Sequence, residues 1–389
     1  MKINKFLRLK DRSKIQVCTN CIYDERVEEI KFDKNGVCNY CKQTDELKSL
    51  FGTGKKKGSN KFNKILAQIR LDGRGKKYDC IVGVSGGTDS SYLLYLAKKK
   101  WKLRPLAVHF DNTYNSSIAT MNISKVLQKL EIDLFTYVVN NREMDDIFRS
   151  FFRAGVPEID SATDLALAEI MYRAANKYKI KYVLEGHSFI TEGITPIGKN
   201  YFDGMYIKDI HRKFGELKME TYPLMTFSKF LFWSCFRQIK KIRPFWYINY
   251  SKESARDFLK KEFGWKYYGG HHLENTMTAF YHKVYNPRKF NSDLRNNTLS
   301  ALVRNKKINR NYAWKIYNSD IEDTDELITY FQKRLDIRMN EFSSIMNSKP
   351  KSWKDFRTYK KLFEKTKFIF YILAKKNLVP YSFYLKYCK

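Results

Sequence analysis

The stretch Asp79-Cys-Ile-Val-Gly-Val-Ser-Gly-Gly-Thr-Asp-Ser-Ser91 joins three different patterns in one short segment. Residues 80–84 form an apolar β run, two glycines follow, and an amphipathic run extends over residues 92–98. A buried strand that turns through glycines into a helix creates an anion site, because glycines let the backbone approach a ligand and the first N–H groups of the helix point at it. The stretch therefore predicts a strand, a pyrophosphate-binding loop and a helix.

The predicted loop consists of Ser85, Gly86, Gly87, Thr88, Asp89 and Ser90. The two serine hydroxyls add hydrogen-bond donors, and the carboxylate of Asp89 stands where it could hold Mg²⁺. The loop lacks the lysine of a Walker motif, so transfer of a γ-phosphate is not the expected chemistry. The alternative interpretation is a glycine-rich turn that binds no ligand.

Strands and helices alternate after this loop, and Ser161 is the predicted N-cap of one of the helices. The predicted strands cover residues 80–84, 104–110, 134–139 and 181–185. This alternation predicts a parallel, doubly wound α/β sheet, in which ligands bind beyond the carboxyl ends of the strands. The candidate residues at those ends are Asp111 after the second strand, and Glu185, Gly186, His187, Glu192 and Gly193 after the fourth.

The cysteines near the N-terminus form two pairs with metal-ligand spacing. Cys18 and Cys21 make one Cys-x-x-Cys turn, and Cys38 and Cys41 make the other. Each turn brings two thiolates together, and two turns complete a tetrahedral site, so the pattern predicts a zinc ribbon. Zinc held by four cysteines has no open position and is structural. An iron–sulfur cluster is the alternative.

A second polar group lies far downstream, after Gly269-Gly270. It contains His271, His272, Glu274 and Asn275. The spacing of these side chains is not a standard set of metal ligands, so we expect them to contact a substrate or a phosphate.

The composition favours anionic partners. The chain has 389 residues and a formal net charge of +32, which suits nucleic acid, nucleotide-sugars or a membrane surface, although compositional drift would also produce it. Residues 221–252 are aromatic and basic; they could form a packed helix pair, a surface for a nucleotide-sugar or RNA, or an interfacial membrane helix. Because we find neither a signal peptide nor a long apolar run, we expect a cytoplasmic protein, with a peripheral contact at the inner membrane left open.

These patterns divide the chain into four parts. Residues 1–45 are the predicted zinc-ribbon module and residues 46–77 a linker with one helix. Residues 78–224 are the predicted α/β domain with the pyrophosphate-binding loop, and residues 225–389 a mainly helical region for substrate or partner binding.

The loop Ser85-Gly-Gly-Thr-Asp-Ser90 resembles that of the PP-loop ATP pyrophosphatases, the adenine nucleotide α-hydrolase-like superfamily with a HUP-like fold. This resemblance implies that ATP is split to AMP and pyrophosphate while a substrate oxygen is adenylated. It also implies that Asp111 lies near the adenosine, and that the loop after the fourth strand holds the adenylated substrate.

The cysteine block and the Gly-Trp…Tyr-Gly-Gly-His-His-Leu-Glu-Asn275 segment resemble the N-acetyl sugar amidotransferases, which are WbpG/PseA-like. That family implies an ATP-dependent ligase acting on a nucleotide-sugar, with Mg²⁺ and structural zinc, in surface glycan synthesis. It implies catalytic roles for Asp89, Glu185, His187 and Glu192, and substrate contacts for Gly186 and Gly193. It also implies a HisH-like glutaminase as partner, with a HisF-like protein beside it.

Two other functions stay open. The net charge and the cysteine block also suit a PP-loop tRNA-modifying enzyme, either a thiolase or a lysidine-type ligase. Outside the two N-terminal pairs, however, the sequence has no Cys-x-x-Cys motif for sulfur transfer. A non-catalytic protein that binds nucleic acid or a membrane is the second alternative, and it would not require the Ser85–Ser90 loop.

Overall fold

The computed structural model describes residues 15–194, 201–270, 273–321 and 324–388. Its centre is a five-stranded sheet with the strand order β3-β2-β1-β4-β5, and every neighbouring pair is parallel. The strands are β1 Cys80–Gly83, β2 Pro105–Asp111, β3 Leu134–Val138, β4 Tyr182–Leu184 and β5 Lys240–Ile242. The predicted doubly wound parallel sheet is confirmed.

Two apolar cores cover the two faces of this sheet. Ile81 and Val183 belong to one core, whereas Val82 and Leu184 belong to the other. Successive side chains of a strand point to opposite faces, so a strand covered on both sides must be apolar throughout. This explains why the run at residues 80–84 is continuous rather than alternating.

Two helices precede the first strand, others alternate with the strands, and the rest form the C-terminal region. They are α1 Asn39–Phe51, α2 Lys56–Asp72, α3 Thr88–Tyr95, α4 Ser117–Leu130, α5 Asn141–Ala154, α6 Ser161–Lys177, α7 Gly204–Phe214, α8 Phe227–Leu231, α9 Lys252–Phe263, α10 Thr276–Phe280, α11 Asn286–Phe290, α12 Arg295–Arg304, α13 Arg310–Asn318, α14 Thr324–Leu335, α15 Met339–Asn347, α16 Lys360–Lys365, α17 Lys367–Lys375 and α18 Tyr381–Phe383. Shorter π-helical turns are Leu96–Lys100, Phe232–Phe236, Tyr281–Tyr285 and Tyr384–Cys388, and 3₁₀ turns are Pro244–Trp246 and Trp353–Asp355. No helix in the described ranges is long and apolar enough to cross a membrane.

Three details differ from the sequence prediction. The fifth strand, β5, was not predicted and lies within residues 221–252. Ser161 is the first residue of α6 rather than its N-cap, and the N-cap position is held by Asp160, whose side chain makes no capping hydrogen bond to the described helix. Helix α1 crosses the predicted boundary at residue 45, and β5 carries the sheet beyond the predicted boundary at residue 224.

The C-terminal tail returns to the edge of the sheet. Helices α16, α17 and α18 form a third core with Tyr201, and this core contains Phe363, Phe370 and Tyr387. Between α17 and α18, the carbonyl of Asn377 accepts a hydrogen bond from the N–H of Lys241 at 2.8 Å. The tail is thereby anchored to β5.

The order of the strands determines where a ligand can bind. The chain proceeds from β1 to β2 and β3 on one side, and then crosses back to β4 and β5 on the other side of β1. The carboxyl ends of β1 and β4 therefore flank the topological switch point, where doubly wound sheets open a crevice.

Candidate functional site

Four cysteine side chains from two turns converge in the N-terminal module. The Sγ atoms of Cys18, Cys21, Cys38 and Cys41 lie within 4.8 Å of one another, and all four residues are buried. The Sγ–Sγ distance is 3.8 Å for Cys18 and Cys41, 3.9 Å for Cys21 and Cys38, and 3.6 Å for Cys38 and Cys41. Zinc with thiolates at about 2.3 Å requires sulfurs about 3.8 Å apart in a tetrahedron. The cluster could therefore bind zinc.

Backbone amides and an arginine face these sulfurs. The N–H groups of Asn20 and Cys38 donate to Cys18 Sγ at 3.4 and 3.3 Å. Arg304 Nη2 lies 3.6 Å from Cys21 Sγ. Such donors favour thiolates, which are the form that binds metal. Zinc bound here would cross-link the two turns, and four thiolates would leave it no open position for chemistry.

Helix α12 joins the cysteine cluster to the loop after β4. Asn297 accepts a hydrogen bond from the Tyr23 hydroxyl at 2.9 Å on the cluster side. Directly after the helix, Asn305 Nδ2 donates to the carbonyl of Ile190 at 3.1 Å. Because Arg304 also contacts the cluster, one helix supports both the cysteines and the loop after β4.

The predicted phosphate loop folds over itself at the carboxyl end of β1. Ser90 Oγ accepts from the N–H of Ser85 at 3.4 Å and donates to the Gly87 carbonyl at 3.3 Å. The N–H of Gly87 donates to Ser85 Oγ at 3.3 Å. Helix α3 begins directly after Gly87, with Asp89 in its first turn. The positive end of the helix dipole thus stands at the mouth of the loop and favours an anion there.

Gly86 is the position in this loop that only glycine fits. Its φ of +78° is in the left-handed region, and an added Cβ would stand 2.3 Å from the carbonyl oxygen of Ala119. The Gly86 carbonyl accepts a hydrogen bond from Trp265 Nε1 at 3.0 Å. Backbone atoms surround the site on both sides, so a side chain could not be accommodated by a rotamer change.

A cavity of about 540 Å³ opens between the ends of β1 and β4. It therefore occupies the topological switch point. The predicted site residues that line it are Ser85, Gly87, Asp89, Ser90, Glu185, Gly186, His187, Glu192 and Glu274.

Lys252 joins two of the predicted carboxylates. Its Nζ lies 2.6 Å from Asp89 Oδ2 and 3.2 Å from Glu192 Oε1. The Tyr250 hydroxyl donates to the other oxygen of Asp89. Burial opposes the charge on Lys252, but the two carboxylates outweigh it and raise the pKa of the lysine. Asp89, Glu192 and Lys252 therefore form a charged cluster on the wall of the cavity.

The carboxylate of Asp89 is not arranged to hold Mg²⁺. One of its oxygens is taken by Tyr250 and the other by Lys252. Both oxygens of Glu185 are likewise held by basic side chains. Mg²⁺ demands oxygen ligands in near-octahedral geometry, so these residues do not fit the ion as they stand. The cation beside Asp89 is the ammonium of Lys252.

Glu185 is fixed at the end of β4 by two cations. Lys241 Nζ lies 2.9 Å from one carboxylate oxygen, and Arg243 Nε lies 2.9 Å from the other. Burial alone would raise the pKa of Glu185, but the two cations lower it to about 2. The side chain is therefore ionised at neutral pH and cannot serve as a proton donor.

His187 accepts a hydrogen bond from a tryptophan indole. Trp246 Nε1 donates to Nδ1 of His187 at 3.1 Å. An indole N–H can only donate, so Nδ1 carries a lone pair and the proton of the neutral ring is on Nε2. Burial and the nearby Arg243 lower the pKa of His187 to about 4. The Nε2 atom lies 4.0 Å from Glu192 Oε2.

Other predicted residues in the described part of the chain lie off the cavity wall. Asp111 Oδ1 accepts from the N–H of Thr113 at 2.7 Å and orders the turn after β2. Asn275 Oδ1 accepts from the N–H of Met277 at 3.1 Å and caps α10. The remaining residues off the wall are Gly86, Thr88 and Gly193. Two further predicted residues, His271 and His272, lie outside the described residues.

Residues 274–368 match the family model for the C-terminal domain of WbpG-like LPS biosynthesis proteins. The chain contains a WbpG-like C-terminal domain. The expected resemblance to this family is confirmed.

The WbpG-like domain contributes to both candidate sites. Its first matched residue, Glu274, accepts a hydrogen bond from Ser85 Oγ of the phosphate loop at 3.2 Å. Arg304 lies beside the cysteine cluster. Tyr359 and Phe363 line the cavity together with residues of the loop. Residues of the WbpG-like domain therefore line the same cavity as the loop after β1.

The chain is also similar to the uncharacterized protein MJ1599 of Methanocaldococcus jannaschii, with 29% identity over 171 residues. The match covers 44% of this chain and 58% of that protein, so the chain spans a little over half the length of this relative.

Three solved structures show a low similarity to the chain. U34-tRNA thiolase NcsA from Methanococcus maripaludis is 13% identical, with 86% of this chain and 90% of that chain covered and a TM-score of 0.32. The NH₃-dependent NAD synthetase of Campylobacter jejuni is 12% identical, with 74% and 96% covered and a TM-score of 0.31. NMN synthetase from Francisella tularensis is 15% identical, with 52% and 86% covered and a TM-score of 0.27. Likeness at this level does not extend to activity.

Three cavity residues outside the WbpG-like domain were not predicted from the sequence. Lys241, Arg243 and Lys252 supply the cations that face Glu185, Asp89 and Glu192. The two basic residues of the β5 region stand among other lysines and aromatics in residues 221–252, and Lys252 begins an ordinary surface-like helix. The absence of acidic residues between 221 and 252 was the available sign that their partners lie elsewhere.

Proposed function

We propose that this chain is the synthase subunit of an ATP-dependent amidotransferase that acts on a nucleotide-linked N-acetyl sugar. It would convert the acetamido group of the sugar to an acetamidino group, for the synthesis of lipopolysaccharide or a related surface glycan. The observation that carries this proposal is the shared cavity. The loop Ser85–Ser90, the end of β4 and the WbpG-like domain all line the same space.

The proposed reaction has two steps. The acetamido oxygen attacks the α-phosphorus of ATP, an O–P bond forms, and the bond to the β-phosphate breaks and releases pyrophosphate. Ammonia then attacks the imidate carbon, a C–N bond forms, and the C–O bond breaks and releases AMP. One proton from the nitrogen passes to solvent. The sugar retains its original nitrogen and gains the second one as an amidine.

The charge distribution of the cavity supports this use. Phosphoryl transfer depends mainly on positioning and on neutralising charge at the transferring group. Lys252 and Arg243 line the cavity with the loop, and the amino end of α3 points at it. His187 offers a neutral N–H at Nε2, which suits a contact to a phosphate or amide oxygen.

The ammonia is proposed to come from a separate HisH-like glutaminase, with a HisF-like protein as a further partner. Glutamine hydrolysis requires a reactive cysteine beside a base. Outside the N-terminal cluster, Cys80 is fully buried in β1 and Cys388 is buried in the tail, and burial raises the pKa of both thiols. Cys235 is exposed in the turn Phe232–Phe236, but within the described ranges it makes no hydrogen bond to a base that could activate it. Glutamine should therefore support turnover only when a glutaminase is added.

The test is pyrophosphate release from ATP. We expect release that requires both ammonium and a nucleotide-linked N-acetyl sugar from a panel of such compounds. Asp89→Ala should abolish release while circular dichroism stays unchanged, since it removes the carboxylate that orders Lys252 and Tyr250. Asp257→Asn, an exposed change on α9, is the matched control and should keep full activity. Release that depends on tRNA instead would contradict the proposal and favour a tRNA-modifying enzyme.

A further inference from the structure

The far wall of the cavity is built by the C-terminal tail. Phe383, Lys386 and Tyr387 of the tail line the cavity, as do Phe227 and Phe230 of α8. The tail is held in place from two directions. Phe230 stacks on Phe370 with ring centroids 6.2 Å apart, and the tail also bonds to β5 through its backbone. The wall is therefore a fixed part of the fold.

Lys386 is the unusual group on this wall. Its Nζ lies 5.4 Å from the ring centroid of Phe202 and 5.6 Å from that of Tyr387. The part of the chain that the structure describes offers it no hydrogen-bond acceptor and no carboxylate within ion-pair distance. Burial lowers the pKa of Lys386 to about 8; Arg243 adds to the shift, while Asp164 and Glu158 oppose it at longer range.

Other enclosed lysines of this chain have partners. Lys241 and Lys252 pair with carboxylates at 2.9 and 2.6 Å. Lys289 donates to the carbonyl of Ser348 at 2.9 Å, and Lys360 donates to that of Tyr387 at 3.1 Å. An ammonium without a partner in an apolar enclosure is costly, and the cost is relieved when an anion binds. Lys386 is thus placed to receive an anionic group of a ligand.

The walls around Lys386 indicate the remainder of the ligand. The rings of Phe227, Phe230, Tyr359, Phe363 and Phe383 line this end of the cavity. Flat aromatic faces suit a ring-bearing molecule, whereas a small inorganic ion would leave them uncovered. The loop Ser85–Ser90 and Lys252 line another part of the same cavity.

We propose that Lys386 and this aromatic wall form a subsite for the anionic portion of the acceptor, a ring-bearing molecule with a phosphate or carboxylate group. This inference rests on the proposed function, in which the cavity holds ATP and an acceptor together. Ser382, one helical turn before Lys386, accepts a hydrogen bond from Arg243 Nη1 at 2.5 Å, so the subsite is connected to the ion pair of Glu185.

The subsite would also determine specificity. The match to the WbpG-like family model ends at residue 368, whereas Ser382, Phe383 and Lys386 come later. The acceptor would therefore be selected in part by residues that the matched domain does not include.

Isothermal titration with three probes tests the subsite. UDP-N-acetylglucosamine carries phosphates, N-acetylneuraminic acid carries a carboxylate without phosphate, and N-acetylglucosamine is neutral. We expect Lys386→Gln to weaken binding of one anionic probe by about tenfold or more, the loss expected for a hydrogen bond to a charged group. The probe affected identifies the source of the anion. Lys386→Arg should retain most of the affinity.

The controls separate a subsite from a structural role. Lys375→Gln, an exposed lysine of α17, should leave binding of every probe unchanged. Affinity for ATP and the melting temperature should be the same in Lys386→Gln and wild type. Equal affinity of Lys386→Gln and wild type for both anions would overturn the inference, as would failure of both anions to bind the wild type. If an anion binds through Lys386 but pyrophosphate is never released, the proposed function fails and the subsite stands.

Discussion

Replacing Lys252 by methionine should destabilise the protein far more than loss of a surface charge would. The change removes the ammonium that lies 2.6 Å from Asp89 and 3.2 Å from Glu192, and it leaves two carboxylates without their cation. The side chains of Lys252, Asp89 and Glu192 are only 19%, 16% and 11% exposed, so water cannot replace the lost partner fully. Removing one partner of a buried pair costs about 3–5 kcal/mol, whereas exposed pairs contribute about 0–1 kcal/mol.

The cost translates into a measurable change in melting temperature. An unfolding entropy of about 2.1 cal/mol/K per residue amounts to about 0.8 kcal/mol/K for this chain, so the expected decrease is about 4–6 °C. Urea unfolding at pH 7.5 and thermal melting are the assays. The matched control is Lys260→Met, an exposed lysine of the same helix, which should change stability by less than about 0.5 kcal/mol.

A pH series tests whether the loss of stability in Lys252→Met is electrostatic. In Lys252→Met the carboxylates are enclosed without a cation, so their pKa values in the folded state rise above those of the unfolded chain. Stability linked to a raised pKa is present at low pH and lost as pH rises, so the variant should approach wild type as pH falls toward 5. Adding Asp89→Asn and Glu192→Gln should recover part of the loss at pH 7.5. A Lys252→Met protein as stable as Lys260→Met would refute the reasoning.

Three further changes probe separate parts of the site. Because the pKa of His187 is lowered to about 4 in the folded protein, the unfolded chain binds a proton at higher pH, and wild-type stability should fall as pH drops from about 6.5 to 4. The urea midpoint of His187→Gln should fall less over this range, and a profile identical to wild type would contradict the lowered pKa of His187. Cys18→Ser should reduce bound zinc, measured by mass spectrometry of the metal, and lower the melting temperature; unchanged melting would contradict a structural metal. Gly86→Ala should weaken ATP binding by at least about tenfold in equilibrium titration, because its Cβ meets the Ala119 carbonyl at 2.3 Å; wild-type affinity would show that the loop does not hold phosphate.

Local patterns were sufficient for the first four strands of the sheet and for the cysteine cluster. The run at residues 80–84 is apolar throughout because both faces of β1 are covered. The glycines after it mark a turn in which Gly86 has a positive φ, a conformation that favours glycine. The spacing of the four cysteines places their sulfurs at the separation that a zinc tetrahedron needs.

Features that depend on distant residues could not be predicted from the sequence. Strand β5 contains only three residues, two of them lysines, and no periodicity distinguishes it from a surface turn. Its Lys241 is buried because Glu185 neutralises it across the sheet. Lys252 is likewise enclosed because Asp89 and Glu192 neutralise its charge. Charge pairing across long sequence distances, rather than apolar pattern, arranges these parts of the cavity.

The most direct test of the proposed function follows one oxygen atom. An acceptor labelled with ¹⁸O in its acetamido group is incubated with the protein, ATP and ammonium, and the AMP is examined by mass spectrometry. If the acetamido oxygen attacks the α-phosphorus, the label appears in the phosphate of AMP, in an amount equal to the acetamidino sugar formed. Unlabelled AMP, or consumption of ATP without the labelled acceptor, would contradict the proposed function.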